Sequence, residues 1–131
     1  MNISDPISDM LVRLRNASTC NHSTVILPHS RIKSDIARVL KSEGYIADCK
    51  VQKAGKNVNL EVTLKGGSKG KALNGLRRIS TPGRRRYVGA RDVPRVLGGM
   101  GTCILSTSTG VLSGQEAKKK NVGGEILCYV W

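Results

Sequence analysis

A chain of 131 residues, 39% of them hydrophobic, has room for one compact unit or for two small subdomains sharing a core. Its 22 Lys and Arg against 9 Asp and Glu leave a net charge of +13, which points to a polyanionic partner, with nucleic acid first among them. No apolar run approaches the ~20 residues of a membrane-spanning helix, and "MNISDPISDM" lacks the basic and apolar regions of a secretory signal, so a membrane partner is set aside and the expected place is the cytosol or an organelle with its own genetic system.

In chain order, Asp5 can cap a first helix that opens at Pro6, with Ile7, Met10, Leu11, Leu14 and Ala17 on one face and Arg13, Arg15 and Asn16 off it. "STVILP" (23–28) predicts a short buried strand stopped by Pro28. Ser30 offers the cap of a second helix whose apolar face is Ile32, Ile36, Val39 and Leu40, with Gly44 ending it and Lys33, Arg38 and Lys41 pointing away from the core. "YIADCKV" (45–51), a turn around Ala54-Gly55-Lys56 and the alternating "VNLEVTLK" (58–65) predict an antiparallel hairpin with one wet face.

"GGSKGK" (66–71) is the best candidate for a linker. Residues 1–65 carry 10 basic and 6 acidic side chains, a net of +4, whereas residues 66–131 carry 12 and 3, a net of +9. The linker therefore separates two different surfaces, the second the more basic. That half is predicted to open with a strand through Leu73, Leu76 and Ile79, to turn at Pro82-Gly83 and to return along "RRYVG". A helical turn near Val96 and a buried strand "GTCILS" follow. Ser113 and Glu116 have the spacing of a capping box for a short helix ended by Gly123 and Gly124, and "EILCYVW" is the last strand. The expected fold class is α+β: two small α+β subdomains packed together, an α-β-α-β-β subdomain over 1–66 and a mostly β subdomain with short helices over 67–131.

Cys20, Cys49, Cys103 and Cys128 form no CxxC pair and no dense disulfide framework, and read as four buried, reduced thiols. Aromatic residues are few, and phenylalanine is absent. A platform that stacks single-stranded bases on several rings is thereby disfavoured, and a structured, double-helical target fits better.

Catalysis finds little support. A hydroxyl nucleophile needs a base within reach, but the two histidines, His22 and His29, both lie in the first half. Phosphoryl chemistry on a metal needs clustered carboxylates, and the second half has only Asp92, Glu116 and Glu125. "GGMGTCILSTSTG" matches neither the phosphate loop of nucleotide hydrolases nor a dinucleotide fingerprint. The reading is no enzyme, no metal, no cofactor and no small-molecule substrate.

Binding is better served. "ILSTSTGVL" (104–112) sets four hydroxyls between apolar pairs just after a strand, and hydroxyls both donate to and accept from a ribose 2′-OH or a base edge, which Lys and Arg cannot do. "RRRY" puts Arg84, Arg85 and Arg86 beside Tyr87, where guanidinium groups can hold phosphates while the ring stacks on a base or sugar. An architectural DNA binder and a basic nuclease are the alternatives that this composition allows.

"DPISDMLVRLRNA", "STPGRRRY", "ILSTSTGVLSGQEAKK" and the terminal "GGEILCYVW" together resemble the bacterial-type small-subunit ribosomal protein S-eight family, in order and over essentially the whole chain. The resemblance implies a primary binder of a stem in the central domain of small-subunit ribosomal RNA, one that helps assemble the platform. It further implies neighbouring small-subunit ribosomal proteins as partners and, in some relatives, repression of the protein's own messenger RNA. By motif it assigns RNA contacts to Ser106, Thr107 and Ser108, with Gly110 shaping the loop, and to Tyr87 and Glu125. Thr109 departs from the pattern, standing where family members often carry a basic residue.

Overall fold

The structure is a computed structural model that describes residues 5–20, 22–65 and 73–131; the expected linker at 66–71 lies outside them. The described residues form two compact units, Pro6–Asn74 and Gly75–Trp131, the latter joined by Asp5. The protein is α+β, with helices and antiparallel sheets in both.

In the first unit, α1 (Pro6–Thr19) and α2 (Arg31–Ser42) accompany a three-stranded sheet of β1 (Thr24–Pro28), β2 (Ile46–Ala54) and β3 (Asn57–Leu64), ordered β1-β3-β2. The α1 stripe behaves as its spacing dictates, with Ile7, Met10, Leu11, Leu14 and Ala17 all buried. Ser30 caps α2, its side chain accepting from the Lys33 backbone N–H at 3.3 Å, and Gly44 follows the helix with a φ of +85°. Gly55, at a φ of +62°, sits in the tight turn that sets Ala54 opposite Asn57.

Three local expectations are corrected in this unit. β1 is not a buried strand: it pairs with β3 alone among the described strands, only Leu27 is buried, and Ile26, opposite Glu61 on the wet face, is 55% exposed. Lys33 does not point away from the core, because Lys33, Ile36, Ala37 and Leu40 fall on one helical face and its aliphatic stem is buried with theirs. Val58 alternates correctly but lies next to the turn and stays exposed.

The second unit is a five-stranded antiparallel sheet. Its main path is β4 (Leu76–Arg78), β8 (Gly124–Val130), β6 (Thr102–Thr107) and β7 (Gly110–Ser113), and the two-residue β5 (Tyr87–Val88) also pairs with β8. α3 (Gly114–Lys119) and two short 3₁₀ turns accompany it. Val93, Val96, Cys103, Leu105, Leu112, Ala117 and Ile126 form a core cluster on one face of the sheet. Ser113 caps α3 as its spacing predicts, accepting from the Glu116 N–H at 3.3 Å. The helix, however, is not ended by Gly123 and Gly124. Asn121 terminates it with a φ of +55°, a conformation asparagine tolerates better than most residues.

The segment after Pro82-Gly83 does not return along β4 as a hairpin. β4 and β5 lie one after the other on the same edge of β8, Leu76 opposite Val130 and Tyr87 opposite Glu125. Between them the Ile79 and Ser80 N–H groups donate to Leu127 and Ile126, and the Ile126 N–H donates to the Arg86 carbonyl, so the chain keeps its course along β8. Residues 81–85 are looped out of this edge. Thr81 and Arg84 exchange backbone hydrogen bonds of 2.9 and 3.0 Å around Pro82-Gly83, and the fully buried Ser80 hydroxyl closes the neck by accepting from the Arg86 N–H at 2.9 Å.

The cysteines divide by position rather than sharing one environment. Cys103 and Cys128 are buried in strands and burial pushes both thiols up to about 12, whereas Cys49 is half-buried and Cys20, in the turn after α1, is exposed. All four are free thiols. Because the thiolate is the reactive form, native protein at about pH 8 should release one rapid equivalent of chromophore with a disulfide dye, from Cys20. Cys103 and Cys128 should react only after denaturant is added. Early loss of either in native protein would show that the second unit opens readily.

Candidate nucleic-acid interface

β8 is the spine of the site. Reading across the sheet, Tyr87 on β5 lies opposite Glu125 on β8, which lies opposite Ser106 on β6. Residues directly opposite each other on antiparallel strands project to the same face, so these three side chains share one. Alternation along β6 and β8 sends Leu105 and Ile126, the adjacent pair, into the core cluster on the other face. The burial pattern agrees: Tyr87 is 69% exposed and Ser106 half-buried, while Leu105 and Ile126 are buried.

One arginine of the looped-out segment joins this row. Arg85 donates from Nη1 to Glu125 Oε2 at 3.0 Å. Arg84 and Arg86 are exposed and carry no ion pair among the described residues. The sequence-predicted Ser106, Glu125 and Tyr87 are thus brought together with Arg85, while Thr107 alternates to the other face; Ser106 and Thr107 are half-buried and Ser108 is exposed.

The hydroxyl triplet is divided in its roles. Ser108 and Thr109 form the two-residue loop between β6 and β7, in which Thr107 pairs with Gly110 and Gly110 takes a φ of +116°. Thr107 Oγ1 donates to the Gly110 carbonyl at 2.7 Å and accepts from the Thr109 N–H at 3.2 Å; its hydrogen-bonding capacity is largely taken up within the turn. The Ser106 and Ser108 hydroxyls have no hydrogen-bond partner among the described residues and remain available to a ligand.

Several contributors have no obvious sequence signal. Ser80 shapes the arginine loop from a buried position, and nothing in its local spacing singles it out. Arg78 fixes the base of the same edge, donating from Nη1 to the Leu127 carbonyl at 2.7 Å and from Nε to Asp5 Oδ2 at 3.1 Å. Gly123 and Gly124 did carry a signal, since paired glycines before a strand can mark close backbone approach. A Cβ on Gly124 would lie 2.1 Å from the Ser106 carbonyl oxygen, and one on Gly123 would lie 2.2 Å from that of Val88.

These features describe a class: a small basic α+β protein that presents a row of oxygen acceptors and donors, one of them paired with Arg85, near exposed arginines that have no ion pair among the described residues. A model of the family described as ribosomal protein S8 matches residues 5–131. The chain is 51% identical over 133 residues to the small ribosomal subunit protein uS8 of Streptomyces griseus, covering 100% of both chains. It is 51% identical over 132 residues to the protein of that name from Rubrobacter xylanophilus and 52% identical over 132 residues to that from Rhodococcus opacus, again at full coverage of both. The chain belongs to the ribosomal protein S8 family, as its four motifs imply.

Proposed function

We propose that this protein is a structural, non-catalytic constituent of the small ribosomal subunit that binds a stem in the central domain of small-subunit ribosomal RNA and helps assemble the platform. The C-terminal unit is the RNA-binding one. The observation that carries this reading is the cross-strand row Tyr87–Glu125–Ser106 with Arg85 hydrogen-bonded to its middle member, Glu125. Arg84 and Arg86 supply sequence-independent attraction to phosphates. Ser106, Ser108 and Glu125 supply the fit, through groups that meet 2′-hydroxyls and base edges in a shallow RNA minor groove. Thr107 and Gly110 hold the loop in shape. The protein then resides on ribosomes of a bacterium or an organelle with bacterial-type ribosomes, beside other small-subunit proteins, and a similar stem in its own messenger RNA would compete for the same row.

Affinity for a transcript of the central domain, compared with random-sequence RNA of equal length, tests this. Two ligand hydrogen bonds at about 1 kcal/mol each correspond to roughly a tenfold to thirtyfold preference. The double variant S106A/S108A should lose that preference while retaining its affinity for random RNA. Equal loss on both RNAs would remove the hydroxyl loop from recognition. Stronger binding to a DNA duplex of the same sequence would overturn the RNA reading altogether, since only RNA offers 2′-hydroxyls.

A further inference from the structure

Glu125 poses a charge problem on a surface built for phosphates. Its side chain is only 15% exposed, so an unpaired carboxylate there would lack most of its hydration and would also repel an approaching RNA backbone. Arg85 answers both difficulties. Its side chain is 48% exposed and its Nη1 sits 3.0 Å from Glu125 Oε2, and the hydrogen bond and charge of that carboxylate push the arginine's pKa above its ordinary value.

The loop geometry makes this pairing a built feature. Arg85 lies between Arg84, tied to Thr81, and Arg86, tied to Ser80 and Ile126, so its backbone is held from both sides. Glu125 is held by pairing with Tyr87 on one side and Ser106 on the other. Among the three consecutive arginines it is the middle one whose guanidinium is engaged by a carboxylate.

We infer that Arg85 is a positioning residue rather than a phosphate contact: it holds Glu125 in an ion pair whose net charge is zero, with the carboxylate's Oε1 left to receive a hydrogen bond from a base amino group or a 2′-hydroxyl. The inference rests on the reading of the row as the RNA-binding site. It assigns different work to neighbours in one basic run, with Arg84 and Arg86 attracting any polyanion and Arg85 serving discrimination through Glu125.

A double-mutant cycle separates this role from a plain phosphate contact. Affinities for the central-domain transcript and for random RNA of equal length are measured for the unmodified protein, R85A, E125Q, R85A/E125Q and R85K, with thermal unfolding to show that each is folded. R85A is expected to lower the transcript preference about tenfold in the native background but less than about threefold in the E125Q background, where the acceptor is already neutral. R85K, which retains the charge, is expected to keep the preference within about threefold. Equal losses from R85A in both backgrounds, or an R85K protein as impaired as R85A, would overturn the inference. An unmodified protein without any preference for the transcript would instead defeat the site reading itself, before any variant is compared.

Discussion

A G124A protein should be less stable than the native chain by about 3 kcal/mol or more, or fail to fold its C-terminal unit at all. The added Cβ would stand 2.1 Å from the Ser106 carbonyl oxygen, 2.9 Å from the Ser106 carbonyl carbon and 3.1 Å from the Thr107 Cα. All three are backbone atoms of β6, so no side chain can swing aside, and relief requires the β6–β8 ladder to part. Gly124 has no left-handed φ; the demand is for space, not for a special conformation. The same ladder sets Ser106 against Glu125, and any G124A protein that does fold should therefore have lost RNA preference as well. Denaturant unfolding followed by circular dichroism checks the first effect. A loss below about 1 kcal/mol would mean that β6 and β8 do not pack this closely.

Removing two arginines should act on affinity rather than on stability. Arg84 and Arg86 are exposed and free of ion pairs among the described residues, which leaves both guanidinium groups open to phosphates. In R84A/R86A, the slope of log affinity against log salt should become shallower by about 2, borrowing the duplex coefficient of about 0.9 for each neutralised phosphate. Affinity for the central-domain transcript and for random RNA should fall together, by about tenfold to a hundredfold at low salt, with the ratio between them nearly unchanged. Stability should change little, because the loop is held by Ser80 and by backbone bonds rather than by these side chains. An unaltered salt slope would show that the loop does not meet the RNA backbone. Set beside R85A, which should change the ratio, the pair of experiments divides three adjacent arginines into two roles.

Elements specified by neighbours in the chain were readable from the sequence alone. The buried stripe of α1 follows from helical periodicity, and the Ser30 and Ser113 caps from a hydroxyl three residues ahead of a backbone N–H. The β2–β3 turn follows from Gly55 between alternating strands. The α+β class and the family follow from these together with the four motifs. The residues of the candidate site were readable as types, because hydroxyls, a tyrosine and arginines have evident uses on RNA.

Tertiary structure alone decided which of these residues stand together. β4 and β5 share one edge of β8 instead of pairing with each other, and that choice turns an apparent hairpin into a projecting arginine loop. Pairing across three strands, which joins residues 87, 125 and 106, depends on contacts between distant parts of the chain that carry no local period. The exposure of β1, the burial of Lys33 and the clearance required at Gly123 and Gly124 are of the same kind, since each is set by what the fold brings alongside. Local spacing encodes which face of an element is apolar; the partner that covers it, and the atoms that must pass close by, are fixed only when the sheet is assembled.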